Sequence, residues 1–419
     1  MHRLIFLLAA LLAMSGVAGA GELSLKECLA RAATTNRGLK GASYDVAIAQ
    51  EQIGVARSGE LPRVDLQAGF VAQLEPQAVK FGSLVQETQD ADFPFLNLSI
   101  YSTLYDFGRT RARVGAAGKQ RDAARHAYAG SEQDLFLQVV RAYYGILQAQ
   151  KLVKAADDEV VQMDSHQNTA QALFDQGVVT RNDLLQAEVR VAASRQKLYS
   201  ATNGVENGWL LLNYLTGSPA DFRGDLQDSE IPVLPDPQAE PDFSKRGEIA
   251  ALKDVVSAGE FAVKEAKTGY YPELFAKLAL DYTENSKVRE QAVMSGTLGV
   301  KVNLYDGLAT SSRLRQAVLA RSRDEERLRD LEERVKLELA TAQNDLRVAS
   351  ARIKAAEKAI AQGIENLRIT KDRYQEKVGT ATEVVDAQTL LTQTRTDYYE
   401  SIFDLQVAAA RVKRATGEL

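Results

Sequence analysis

The sequence predicts a mainly α-helical protein with a β part that enters a membrane, built as two copies of one unit. Three observations carry this. Landmarks recur 200 residues apart, long proline-free stretches keep a heptad of apolar positions, and four runs of about ten residues alternate apolar with polar. Leu104-Tyr105-Asp106-Phe107-Gly108 returns as Leu304-Tyr305-Asp306-Gly307-Leu308. Thr180, Asp183 and Ala187 return as Thr380, Glu383 and Ala387, and Thr216-Gly217 returns as Thr416-Gly417. A fixed offset over separate landmarks defines a repeat, and a repeat must be found before any other reading is attempted.

The elements follow in chain order. Residues 1–20 read as a signal peptide: His2 and Arg3, the apolar run Leu4–Ala13, then the small residues Val17-Ala18-Gly19-Ala20. The first repeat, 21–215, is expected to hold a helix over 24–58, strands over 63–72 and 95–105, a long helix over 109–174 and a returning helix over 183–214. Residues 216–246 form a linker rich in proline and aspartate, with Pro219, Pro232, Pro235, Pro237 and Pro241. The second repeat, 247–419, follows the same plan: helix 248–268, strands 273–282 and 294–305, long helix 309–376 and helix 383–415.

The long helices rest on two apolar seams. Leu135, Ala142, Ala149, Ala156, Met163 and Ala170 form one, and Val139, Ile146, Val153, Val160 and Phe174 the other, with Gln167 as a break. The second copy has Val335, Ala342, Ala349 and Ala356 beside Leu339, Leu346, Ile353, Ile360 and Leu367. Alternating steps of three and four give a 3.5-residue period, which makes helices supercoil left-handedly to keep the seam against a neighbour. At 1.5 Å per residue such a helix is roughly 100 Å long, several times the ordinary globular length.

The strands decide against a plain helical rod. Val64, Leu66, Ala68 and Phe70 alternate with Asp65, Gln67 and Gly69; Leu96, Leu98, Ile100 and Leu104 alternate with Asn97, Ser99, Tyr101 and Thr103. In the second copy Leu274, Ala276, Leu278 and Leu280 oppose Phe275, Lys277, Ala279 and Asp281, and Met294, Leu298, Val300, Val302 and Leu304 oppose Ser295, Thr297, Lys301 and Asn303. A run of about ten residues crosses a bilayer as a tilted strand, and apolar-out, polar-in alternation belongs to outer-membrane barrels. Four strands cannot close, and an open edge is not tolerated in lipid. The chain must therefore pool strands with copies of itself; two copies give eight and three give twelve.

Composition removes other classes. With 51 Lys and Arg against 56 Asp and Glu the net charge is −5, the wrong sign for a nucleic-acid partner. The single Cys28 permits no internal disulfide and reads as a buried small side chain on the first helix. His126 and His166 stand apart from cysteine and from each other, so no metal site, catalytic set or cofactor is expected. A periplasmic coiled-coil adaptor or a structural rod would share the helices but lack the amphipathic strand pairs.

The paired Leu-Tyr-Asp exits, Pro62 and Pro272, and the two hairpin tips (Phe174–Ala187 and Tyr374–Ala387) resemble the TolC-like outer-membrane efflux proteins over essentially the whole mature chain. Each motif is weak alone; the doubled set in order is specific, apart from Lys377 where the first tip has Gly177. The resemblance implies a homotrimer in the outer membrane whose twelve-stranded β-barrel continues into a twelve-helix periplasmic α-barrel. It implies an exit duct serving a periplasmic adaptor and an inner-membrane pump of the resistance-nodulation-division, ABC or major-facilitator type, in tripartite efflux or type I secretion.

Candidate site residues fall in two groups. At the strand–helix junctions they are Pro62, Tyr105, Asp106, Pro272, Tyr305 and Asp306. At the tips Thr180-x-x-Asp183 and Thr380-x-x-Glu383 have capping-box spacing and start the returning helices. Gly177, Thr180, Asp183, Gly379 and Thr380 are expected to shape the tips where an adaptor docks. Asp386, with Gln186 as its counterpart, lies one turn beyond Glu383. The resemblance places acids at these two positions, Glu383 and Asp386, in a ring that narrows the periplasmic entrance.

Overall fold

The computed structural model describes residues 23–228, 242–376 and 378–419. The signal peptide, four of the linker prolines (Pro232, Pro235, Pro237 and Pro241) and Lys377 lie outside the described residues. Seven α-helices are described: α1 (Leu25–Thr35), α2 (Arg37–Arg57), α3 (Arg109–Asp175), α4 (Arg181–Thr216), α5 (Gly247–Lys267), α6 (Ala309–Gln375) and α7 (Ala381–Thr416). The strands are β1 (Arg63–Ala72), β2 (Ala78–Phe81), β3 (Leu84–Glu87), β4 (Asp92–Tyr105), β5 (Glu273–Thr283) and β6 (Ala292–Lys301). The described residues form two compact units: Ala42–Tyr128 with Gly247–Glu333, and those up to Gly41 with those of Ala129–Arg246 and Arg334–Leu419. Each unit draws on both repeats, so the sequence repeat is not the folding unit.

The helix expected over 24–58 is two helices. Asn36 ends α1 with an extended backbone, φ −63° and ψ 123°. Its side-chain oxygen accepts from the Leu39 amide at 3.0 Å, and its amide nitrogen donates to the Leu215 carbonyl at 3.0 Å. The break thus satisfies groups on both sides, as a cap must. From this point α2, a 3₁₀ turn at Ser58–Glu60 and β1 correspond to α5, a 3₁₀ turn at Thr268–Tyr270 and β5, displaced by 210 residues. After the strand loops the displacement is 200. The ten extra residues of the first loop are accounted for by the β2–β3 ribbon, which the alternation pattern did not announce and which has no counterpart between β5 and β6.

In the strand-bearing unit β1, β4, β5 and β6 form one antiparallel sheet in the order β1-β4-β5-β6. The two hairpins therefore join through β4 and β5, and β1 and β6 are the edges. β4 begins at Asp92, three residues earlier than the alternation suggested. β6 ends at Lys301 and not at 305: Lys301 pairs with Glu273, and the next partner would be Pro272, which has no N–H to donate. Val302, Asn303 and Leu304 are outside the ladder. A bulge between Thr103 and Tyr105 places Tyr105, not Leu104, opposite Leu274.

In the other unit the seams lie where the heptad put them. Val139, Ile146 and Val335 are fully buried. Leu339 and Ala342 of α6 pack on Val412 and Ala415 of α7, and Ala349 and Ile353 pack on Leu405. The recurring Thr-Gly pair ends both returning helices. Gly217 and Gly417 adopt φ of 64° and 77°, and the following amides reach back to Asn213 and Lys413 at 2.9 and 2.8 Å. These are Schellman caps, which need the left-handed conformation that glycine supplies.

Candidate functional sites: the sheet, its junctions and the hairpin tips

Paired residues in an antiparallel ladder share a face, so the register assigns both faces of the sheet. Val64, Ile100, Leu278 and Gly296 form one row across all four strands, with Leu66, Leu98, Leu280 and Met294 beside it. Most of these apolar side chains are exposed: Leu66 at 64%, Leu278 at 57% and Met294 at 81%. The opposite face has the rows Arg63, Tyr101, Lys277, Thr297 and Gln67, Asn97, Asp281, Val293. Some polar groups there pair with each other: Arg63 meets Asp65 at 2.8 Å, and Asn97 donates to Asp281. An uncovered apolar face backed by a polar one matches a solvent that is lipid on one side and water on the other.

The junction residues Pro62, Tyr105, Asp106, Pro272, Tyr305 and Asp306 sit where this sheet meets the helices. Asp106 accepts from the Gly108 amide at 3.0 Å and from the Thr110 amide at 2.7 Å and hydroxyl at 2.5 Å. Asp306 accepts from the Thr310 amide at 2.9 Å and hydroxyl at 2.7 Å. Each aspartate caps a long helix. Burial pushes the Asp106 carboxyl up, but the bonds from Thr110 and Gly108 outweigh it and hold the group below its usual value. The Thr310 hydroxyl bond holds Asp306 low in the same way. Sequence reading missed Thr110 and Thr310, although the same offset of 200 relates them.

Both turns need two consecutive residues at positive φ: Phe107 at 55° and Gly108 at 89°, then Gly307 at 66° and Leu308 at 69°. The glycine changes place within the pair while the geometry stays, and the other residue carries a strain of about 1–2 kcal/mol. Phe107 is held by aromatic contacts, with ring centroids 4.8 Å from Tyr105 and 5.4 Å from Tyr271. Tyr271 immediately precedes Pro272, so this cluster ties the first junction to the second. Tyr305 is 79% exposed and makes no ring contact among the described residues. Tyr105, Tyr270 and Tyr271 at this end of the strands are exposed as well.

The tip residues gather at the ends of α3–α4 and α6–α7. At the first tip Gly177 is left-handed, φ 69°. Thr180 and Asp183 form a full capping box: the Asp183 amide donates to the Thr180 hydroxyl at 3.3 Å, and the Thr180 amide donates to the Asp183 carboxylate at 2.9 Å. The Thr180 hydroxyl and amide hold the Asp183 carboxyl below its usual value. The second tip keeps half the box. The Glu383 amide donates to Thr380 at 3.3 Å, but the carboxylate lies 3.5 Å from Arg373 at the end of α6. Gly379 is not left-handed; a Cβ there would meet Arg373 Cβ at 3.2 Å and the Glu383 carboxylate at 3.3 Å. Its role is space, in contrast to Gly177.

Asp386 is exposed, as is Gln186. Val384, Val385 and Ala387 around it are buried, which turns Asp386 to the free side of α7. It makes no hydrogen bond or ion pair among the described residues. A cavity of about 560 Å³ lies behind the tips, lined by His166 and Leu173 of α3, Lys371 and Tyr374 of α6, and Val385 and Gln388 of α7. Lys371 donates to Gln162 at 2.8 Å and ties α6 to α3. Burial holds the His166 imidazole below its usual value. Burial, with a smaller contribution from the Asp183 charge, pushes the Tyr374 hydroxyl up, which marks the two tips as neighbours.

No helix among the described residues is long and apolar enough to cross a membrane. The family model described as "Outer membrane efflux protein" matches residues 28–218 and 244–418. The chain is 23% identical over 99% of its length to outer membrane efflux protein BepC of Brucella suis biovar 1, covering 90% of that protein. Its fold is similar to the outer-membrane channel OprN, with a TM-score of 0.82 and 17% identity over 94% of this chain and 90% of that one. The outer membrane protein VceC of Vibrio cholerae is similar too, with a TM-score of 0.80 and 17% identity over 94% and 96% of the two chains. The chain belongs to the outer membrane efflux protein family. It is an outer-membrane exit duct, and its role is transport.

Proposed function

We propose that three copies of this chain close a twelve-stranded barrel, and that the duct works with a periplasmic adaptor and an inner-membrane pump in tripartite efflux or type I secretion. The sheet carries the reading. Its apolar face suits lipid, and both edge strands, β1 and β6, have unpaired backbone groups that lipid cannot satisfy. Two chains would give eight strands, whose interior side chains fill; twelve leave a water-filled bore. The mass of the complex extracted in gentle detergent tests this: a trimer is expected, and a stable monomer or dimer refutes it.

In the trimer the free Asp386 carboxylates stand around one axis at the periplasmic entrance, and Glu383, held by Arg373, supports the helix start behind them. Like charges in a narrow ring repel each other and attract cations. Asp386 is thus the constriction residue, and Gly177, Thr180, Asp183, Gly379 and Thr380 shape the surface an adaptor meets. Single-channel recording tests it. Asp386→Ala is expected to weaken cation selectivity and block by multivalent cations from the periplasmic side, and adding Glu383→Ala to deepen the effect. Wild-type selectivity and block in both variants refute the ring.

A further inference from the structure

The helix-facing end of the polar sheet face holds more cations than carboxylates. A cavity of about 640 Å³ opens there, between the starts of α3 and α6, the flank of α5 and the ends of β5 and β6. Its charged lining residues are Arg109, Arg113, Lys301, Arg313, Glu265 and Glu273. Two of the four cations are neutralised within the chain. Arg109 meets Glu273 at 3.2 Å, and Arg113 places Nε and Nη2 on one oxygen of Glu265 at 2.9 and 2.8 Å.

The other two cations are not. Lys301 is the ladder partner of Glu273, but Glu273 is already engaged by Arg109, by the Tyr101 hydroxyl at 2.9 Å and by the Thr103 hydroxyl at 3.0 Å. Lys301 and Arg313 are exposed and make no hydrogen bond or ion pair among the described residues. Asp106 and Asp306 cap α3 and α6, so the surplus charge comes from side chains and not from helix ends. Unpaired cations along a confining wall concentrate anions, and a guanidinium fork matches the geometry of carboxylate and phosphate.

We propose that this cavity is an oxyanion-binding station on the solute path, taking soluble carboxylate- or phosphate-bearing anions of more than one charge. Lys301 and Arg313 are the contacts, with Arg109 and Arg113 held by Glu273 and Glu265 as the fixed rim. Lipid meets the opposite, apolar face, so the occupant is a solute in transit. Both contacts are exposed in the single chain, and binding through exposed charges is reversible and weakened by salt, as a passage demands. The inference rests on the exit-duct reading for the identity of the water-filled side, and on one chain alone for the site.

Calorimetric titration of the detergent-solubilised protein with inorganic tripolyphosphate tests it. Binding is expected in the wild type, with affinity about tenfold or more lower in the Lys301→Gln/Arg313→Gln double variant. The charge-keeping pair Lys301→Arg/Arg313→Lys is expected to bind, and Lys80→Gln on the β2–β3 ribbon to leave binding unchanged. No wild-type binding, or equal binding by the neutralised variant, overturns the station. Conductance in planar bilayers judges the duct separately: a folded protein that never conducts overturns the duct reading, while the titration still reads the cavity.

Discussion

An arginine at Leu278 offers the sharpest separation of the two sheet faces. Leu278 lies in the middle of the apolar rows, between Ile100 and Gly296, and is 57% exposed. A charge at the bilayer midplane on a barrel's lipid face costs about 2–4 kcal/mol. At about 1.4 kcal/mol per decade, that is roughly 30- to 1000-fold in the insertion equilibrium of each chain. If three equivalent sites act independently, the assembled barrel loses about 6–12 kcal/mol. Ser295 is the control. It sits on the polar face opposite Ala279, one row from Gly296, and is exposed. Asn303 cannot serve, because it is outside the ladder. The assay is refolding into neutral liposomes across a urea series, read by protease protection and heat-sensitive gel migration. Leu278→Arg is expected to shift the midpoint strongly and Ser295→Arg little. Equal shifts, or unperturbed insertion of Leu278→Arg, would refute the face assignment.

Three smaller perturbations follow from the other unit. Gly217→Ala forces a side chain into φ 64° with its Cβ 2.9 Å from the Thr35 hydroxyl oxygen, and should lower stability by about 1–2 kcal/mol in urea unfolding. Cys28 is fully buried and its thiol is pushed up to about 11 by burial, so maleimide should label it at pH 8 only after unfolding; rapid native labelling would contradict its packing. Asp183 has a depressed carboxyl, so its capping contribution is present above the unfolded value near 3.8 and is lost as pH falls through the lower folded one. Amide exchange at the start of α4 should therefore quicken in that acidic window, and Asp183→Asn should remove the pH dependence of this step.

Much of this protein was legible in the chain because its signals are periodic and local. A two-residue alternation states which side of a strand faces lipid, and the heptad states which side of α3 and α6 is buried; the register and the burial of Val139, Ile146 and Val335 follow those patterns. The 200-residue offset announced the recurring junction and cap devices, since Asp106 and Asp306 act on residues four positions away. What the pattern did not contain were choices made by distant residues. Asn36 breaks a helix because the Leu215 carbonyl waits for its amide, and β6 stops at Lys301 because Pro272 would be its next partner. Lys301 is left unpaired because Tyr101, Thr103 and Arg109 have already taken Glu273, and Glu383 leaves its capping box because Arg373 is in reach. Periodicity specifies faces, since a face is a property of neighbours in the chain. Ends, breaks and free charges depend on which groups compete for one partner, and that competition exists only after the chain has folded.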